Sequence, residues 1–169
     1  MTILAAILLA TVGQPSAREQ ATTIMPSDPE MRKIHEDWGF SQAIVAGDTI
    51  YVSGVVIGAP AEGSSLQAAY ERGFTQIGEI LKRAGSSWGD VVEITSYHTD
   101  VTTQMPAIIE VKNRFVKAPF PAWTAVEVSR LIPTRGITEI KVTAHRNVAD
   151  KRTADGTSGA AKGCAQTRC

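Results

Sequence analysis

Five β-prone runs and only two stretches with helical periodicity make up the patterned part of this chain, and two helices can cover one face of a sheet but not both. One sheet face must therefore find its partner elsewhere. The first helical stretch is marked by Leu66, Tyr70, Phe74, Ile77, Leu81 and Ala84, which recur three and four apart and predict a helix over Ser65–Ala84. Ser64 or Ser65 can cap its free N–H groups, and Gly85 can take the left-handed conformation that closes its end. The second runs from about Thr103 to Val116, with Met105, Ile108, Lys112 and Phe115 on one stripe and Pro106 in its first turn.

The strand candidates are Phe40–Ala46, Thr49–Val56, Val91–Thr99, Ala122–Ser129 and Ile137–Asn147. Gly47-Asp48 suits a tight hairpin turn between the first two. A loop with two prolines, Ala118–Pro121, precedes the fourth, and a turn over Ile132–Gly136 precedes the fifth. The order is ββαβαββ, an α+β arrangement. Side chains alternate along a strand, so Trp123, Ala125 and Glu127 oppose Thr124, Val126 and Val128, while Glu139 opposes Ile140. The mixed set Trp123, Ala125, Glu127 and Glu139 is expected on the uncovered face. Burial of that face in an oligomer follows.

Seventeen basic residues balance seventeen acidic ones, which leaves no electrostatic reason to expect nucleic acid or an anionic membrane as partner. No apolar run is long enough for a spanning helix. Residues 1–24 read as a signal peptide or an upstream extension: Ile3–Gly13 suits an apolar h-region and Ser16-Ala17 a cleavage site, but no Lys or Arg precedes the run. Met25 offers a rival start, so a periplasmic or secreted protein and a cytoplasmic one both stay open. A domain is expected over 25–149 and a disordered tail over 150–169. Cys164 and Cys169 lie in that tail and would pair only in an oxidising compartment. His35, His98 and His145 lack metal-ligand spacing, and no phosphate-binding loop, dinucleotide fingerprint or Gly-x-Ser-x-Gly is present, so neither metal nor cofactor is expected.

Several short blocks add a more specific signal. Phe40-Ser41-Gln42-Ala43, Tyr51-Val52-Ser53-Gly54, Ala84-Gly85-Ser86-Ser87 and Asp90-Val91-Val92 are followed by Phe120-Pro121-Ala122, Val126-Glu127-Val128 and Glu139–Ala144. In this order, over Trp38 to Val148, they resemble the RidA/YjgF family of imine and enamine deaminases. The resemblance implies a chorismate-mutase-like fold and a homotrimer whose clefts take residues from both neighbouring subunits. It implies a role for Glu139 in positioning the attacking water, and for Gly54 in letting the backbone approach a small-molecule ligand. Phe40 falls where an aromatic lines the cleft, and Ala125 where a cysteine or small residue is usual.

Trp123 stands where deaminating members carry an arginine that grips the substrate carboxylate. Indole offers one N–H donor and an apolar face in place of a bidentate fork, so planar, apolar or cationic ligands are expected rather than a simple aliphatic 2-iminoacid. Arg135 is the candidate for gripping a carboxylate from another direction. The sequence supports two readings: hydrolysis of a reactive imine or enamine at Glu139, or a non-catalytic trimeric small-molecule-binding protein. A nuclease reading, an old label in parts of the family, finds no basic patch to hold phosphate.

Overall fold

In the computed structural model, which describes residues 14–146, the chain runs α1 (Ala17–Gln20), β1 (Thr22–Ile24), α2 (Pro29–Trp38), β2 (Ala43–Ala46), β3 (Thr49–Gly58), α3 (Leu66–Arg83), β4 (Val91–His98), α4 (Val101–Phe115), β5 (Ala122–Glu127) and β6 (Gly136–His145). A short 3-10 turn, Trp88–Asp90, leads into β4. The apolar run Ile3–Gly13, the tail over 150–169 and both cysteines lie outside the described residues.

The hairpin, both long helices and all five expected strands are present, with the α+β arrangement read from the sequence. Ser65 accepts from the Ala68 N–H at the start of α3, and Gly85 takes φ +76° just beyond its end. The strands form one sheet in the order β1-β2-β3-β6-β4-β5. All neighbours are antiparallel except β4 and β5, which are parallel and joined by α4 as the crossover. Both α3 and α4 lie on one face. Ile50, Val52, Ile94, Ile140 and Val142 from the sheet meet Tyr70, Phe74, Ile77, Leu81, Ile108 and Val111 from the helices in a continuous core. Each is almost free of solvent contact, and burying a large apolar side chain is worth about 1.5–3 kcal/mol.

Three parts depart from the sequence reading. Helix α4 starts two residues early, because Asp100 caps it and the Glu127 carboxylate reaches from β5 to accept from the Val101 N–H at 2.8 Å. Pro106 therefore lies beyond the first turn. Residues 22–24, assigned upstream of the domain, pair with β2 as an added strand (Thr22 with Val45, Ile24 with Ala43). Helix α2 is the largest addition to the ββαβαββ order. Asp28 caps it, Pro29 occupies its first turn and Gly39 closes it at φ +70°. Only His35 of α2 is buried, while Met31, Ile34 and Trp38 form an exposed apolar stripe.

Candidate functional site

The uncovered face of the sheet holds Glu139, and a glycine makes room for it. Strand β3 bulges at Ser53–Gly54, where both residues sit opposite Lys141 of β6. The bulge is held to the preceding segment by Ser53 N–H donating to Gln42 O at 3.0 Å and the Ser53 hydroxyl donating to Ser41 O at 2.7 Å. A Cβ on Gly54 would come within 1.8 Å of the Glu139 Oε1, so any side chain there would displace the carboxylate from its present place. Glu93, on the same face, accepts from Thr143 at 3.2 Å, whereas Glu139 has no hydrogen-bond or ion-pair partner among the described residues. Its acceptor lone pairs are open.

A cavity of about 680 Å3 stands over this carboxylate. Phe40, Gly54, Val56 and Glu139 line it from the sheet side, and Met31 and Trp38 from α2. Phe40 is stacked on His35 with ring centroids 4.1 Å apart, so the buried histidine of α2 sets the aromatic wall. Arg83 at the end of α3 donates to Gln42 Oε1 at 2.9 Å and to the Met25 carbonyl, tying the segment before α2 across the cavity. Sequence reasoning missed Trp38, His35 and Arg83. The signals for the α2 wall were in reach: the Asp28-Pro29 start, the Gly39 stop, and the apolar spacing Met31, Ile34, Trp38.

Trp123 lies on the other face. Its Nε1–H donates to Ser96 Oγ at 3.0 Å, and Ser96, paired in register with Ala125, is fully buried beneath the helices. Trp123, Ala125 and Glu127 thus point toward the helix layer, and Glu139, which pairs with Tyr97 and Val56, points away from it. The expected set of four on the uncovered face is corrected to Glu139 alone. Strand parity tells which residues of one strand share a side, but the register between strands decides which sides coincide. Within one chain the structure brings together Phe40, Gly54 and Glu139. It does not bring Trp123 or Ala125 to them. Arg135 is exposed in the turn, its carbonyl accepting from Ala59 N–H at 2.8 Å, and it does not line the cavity.

Behind Trp123 a buried polar network continues. The Ser96 hydroxyl lies 2.9 Å from His98 Nε2, His98 Nδ1 lies 3.1 Å from Gln104 Oε1, and Tyr70 OH lies 2.8 Å from Thr138 Oγ1, which also reaches Gln104. Burial lowers the His98 pKa and so favours the neutral ring, opposed in part by the Gln104 hydrogen bond. A neutral ring with its proton on Nδ1 accepts from Ser96 and donates to Gln104, so every member is satisfied. Serine, histidine and amide stand in nucleophile-like sequence here, yet Ser96 and His98 have no solvent exposure. The arrangement is structural.

Outside the network, Lys112 of α4 carries its ammonium 4.9 Å from the Trp123 ring centroid and 5.9 Å from that of Phe120. One indole face is thus already taken by a cation of the protein itself. No helix among the described residues is long and apolar enough to cross a membrane.

Comparison with known proteins adds the family. The family model described as Endoribonuclease L-PSP matches residues 31–146. The RutC family protein YjgH of Escherichia coli is 33% identical over 116 residues, 66% of this chain and 86% of that protein. A protein of Capra hircus named 2-iminobutanoate/2-iminopropanoate deaminase is 34% identical over 109 residues, 62% of this chain and 78% of its own. A solved structure of a protein YjgH superposes with a TM-score of 0.61 at 32% identity, covering 74% of this chain and 95% of that one. With its β-bulge, open-face glutamate and helix layer now placed, the chain belongs to the Endoribonuclease L-PSP family, the RidA/YjgF family that its sequence blocks resemble.

Proposed function

We propose that this protein hydrolyses a reactive imine or enamine, with Glu139 orienting and deprotonating the attacking water. The observation that carries the reading is the unpartnered Glu139 carboxylate, laid on the bare backbone of Gly54 at the floor of a cavity of about 680 Å3. A cavity of this size suits a small ligand. Relatives named as iminoacid deaminases support the reaction class. Water adds to the C=N carbon as Glu139 accepts its proton. That proton passes to nitrogen to give the carbinolamine. Glu139 then carries the carbinolamine hydroxyl proton to the same nitrogen as the C–N bond breaks, and ketone and ammonia leave. Glu139 ends as it began, so no oxidant or cofactor is needed.

The cleft of this proposal is shared between copies of the chain. Trp123 and Glu139 point to opposite sheet faces, so they can border one ligand only if they come from two subunits. Tyr51 and Val126, both well exposed beside the uncovered face, favour its burial in a homotrimer. The substrate is then not a simple aliphatic 2-iminoacid, since the Trp123 N–H is spent on Ser96 and cannot grip a carboxylate.

Glu139→Gln is expected to leave assembly intact and to cut turnover by about 10²–10⁴-fold, the usual span of a general base. The assay follows ammonia released from imines formed in situ by an amino-acid oxidase. Turnover indifferent to the substitution sinks the reading and leaves a binding protein in its place. Light scattering that reports a monomer at micromolar concentration removes the shared cleft.

A further inference from the structure

Lys112 breaks the pattern of its own helix. It sits in the stripe of Met105, Ile108 and Phe115, which pack against the core, yet it ends in an ammonium. Arg114, two residues on, is saturated with carboxylates, pairing with Glu71 at 3.0 Å and with Glu110. Lys112 has none among the described residues, and its one hydrogen bond is to its neighbour Asn113, at 3.0 Å. An ammonium carries three donors, so two stay open. A lysine with this freedom ordinarily extends into water. This one is half-buried and held over two rings, Trp123 and Phe120, and the Trp123 indole is itself pinned by its bond to Ser96.

We infer that Lys112, Trp123 and Phe120 form a binding site for an anionic group on a planar ligand, with the Lys112 ammonium taking the anion and the exposed Phe120 ring lying along the flat part. For the reaction this rests on the hydrolysis proposed above, and it names the substrate class: an imine or enamine bearing a carboxylate beside an aromatic or conjugated group. The site lies at the free edge of the sheet, since β5 pairs only with β4, so a second copy can bring its own Glu139 to a ligand held there. A single ammonium is a point charge without the geometry of a fork, so it leaves the orientation of the ligand to the aromatic contact. Burial also lowers the Lys112 pKa, so anion binding should fade with rising pH before an ordinary lysine would discharge.

Calorimetric titration of the full chain with phenylpyruvate, pyruvate and phenethylamine tests this. Phenylpyruvate is expected to bind tightest, Lys112→Met to weaken it by about tenfold or more, and Lys112→Arg to retain most of the affinity. Circular dichroism of both variants guards against misfolding. Phenylpyruvate affinity unchanged in Lys112→Met, absent in the wild type, or below that of phenethylamine overturns the inference. Equal affinity for pyruvate removes the planar part of it. The two readings fail separately. Lys112-dependent phenylpyruvate binding without imine turnover sustains the site and rejects the hydrolysis. Turnover of aromatic imino acids that ignores Lys112→Met does the reverse.

Discussion

The two faces of the sheet treat their polar groups in opposite ways. Under the helices, the Trp123 N–H, Ser96, His98, Gln104 and Thr138 satisfy one another in a closed network. On the open face, Glu139 sits against a glycine with no partner among the described residues. A buried polar group without a hydrogen bond costs about 1–3 kcal/mol, so this network stabilises the fold by pairing its members. The Trp88 indole N–H, packed against Phe74 and Phe115, is nevertheless buried without a partner among the described residues. The open face can leave a carboxylate unpartnered because solvent or a ligand serves it. The difference separates architecture from chemistry: groups that are saturated hold shape, and the group left open is available to act.

The sharpest way to break this contrast is at Gly54. Gly54→Ala places a methyl where the Glu139 Oε1 now lies, and the flexible carboxylate must swing aside. Turnover should fall by about a hundredfold while the urea midpoint stays close to wild type, since displacing a reacting group by an ångström costs that much. A collapse of stability with activity per folded protein unchanged would make Gly54 architectural. Ser96→Ala should do the converse. It strips the Trp123 N–H of its acceptor and His98 of its donor inside the core, and about 2 kcal/mol or more of stability should go. Urea unfolding at fixed protein concentration reads this.

The smallest effect sharpens the contrast through pH. The His98 pKa lies below its ordinary value of 6.5 in the folded protein, because burial disfavours the charged ring. The unfolded chain binds the extra proton first, so this contribution is complete above the unfolded pKa. It is lost as pH falls from there through the folded value, at no more than about 1.4 kcal/mol per pH unit. His98→Gln should flatten the stability profile in that window. An unchanged profile would move the acid sensitivity elsewhere.

Local signals carried most of the fold. The stripe from Leu66 to Ala84 with Ser65 and Gly85 at its ends placed α3 within a residue of its observed bounds, because capping and periodicity are properties of a short window. The same signals at Asp28-Pro29 and Gly39 marked α2, but its apolar stripe lay close to the chain's unpatterned start and was passed over. Of the candidate site, Phe40, Gly54 and Glu139 were legible from their sequence blocks and share the cavity in the structure. Lys112 could be listed in its stripe but not understood, since its meaning depends on two rings that arrive from another segment.

By itself, then, the sequence determined the two long helices and five strands of the ββαβαββ order, the shortage of helices for two sheet faces, and the place of Glu139 on the open one. The tertiary structure alone decided that Trp123 and Glu139 face opposite ways, that the Trp123 N–H is consumed by Ser96, and that its ring carries Lys112. The reason is register. Alternation along a strand is local, but β4, β5 and β6 are aligned by long-range pairing and by the crossover of α4, and a shift of one residue in that pairing would exchange the two faces.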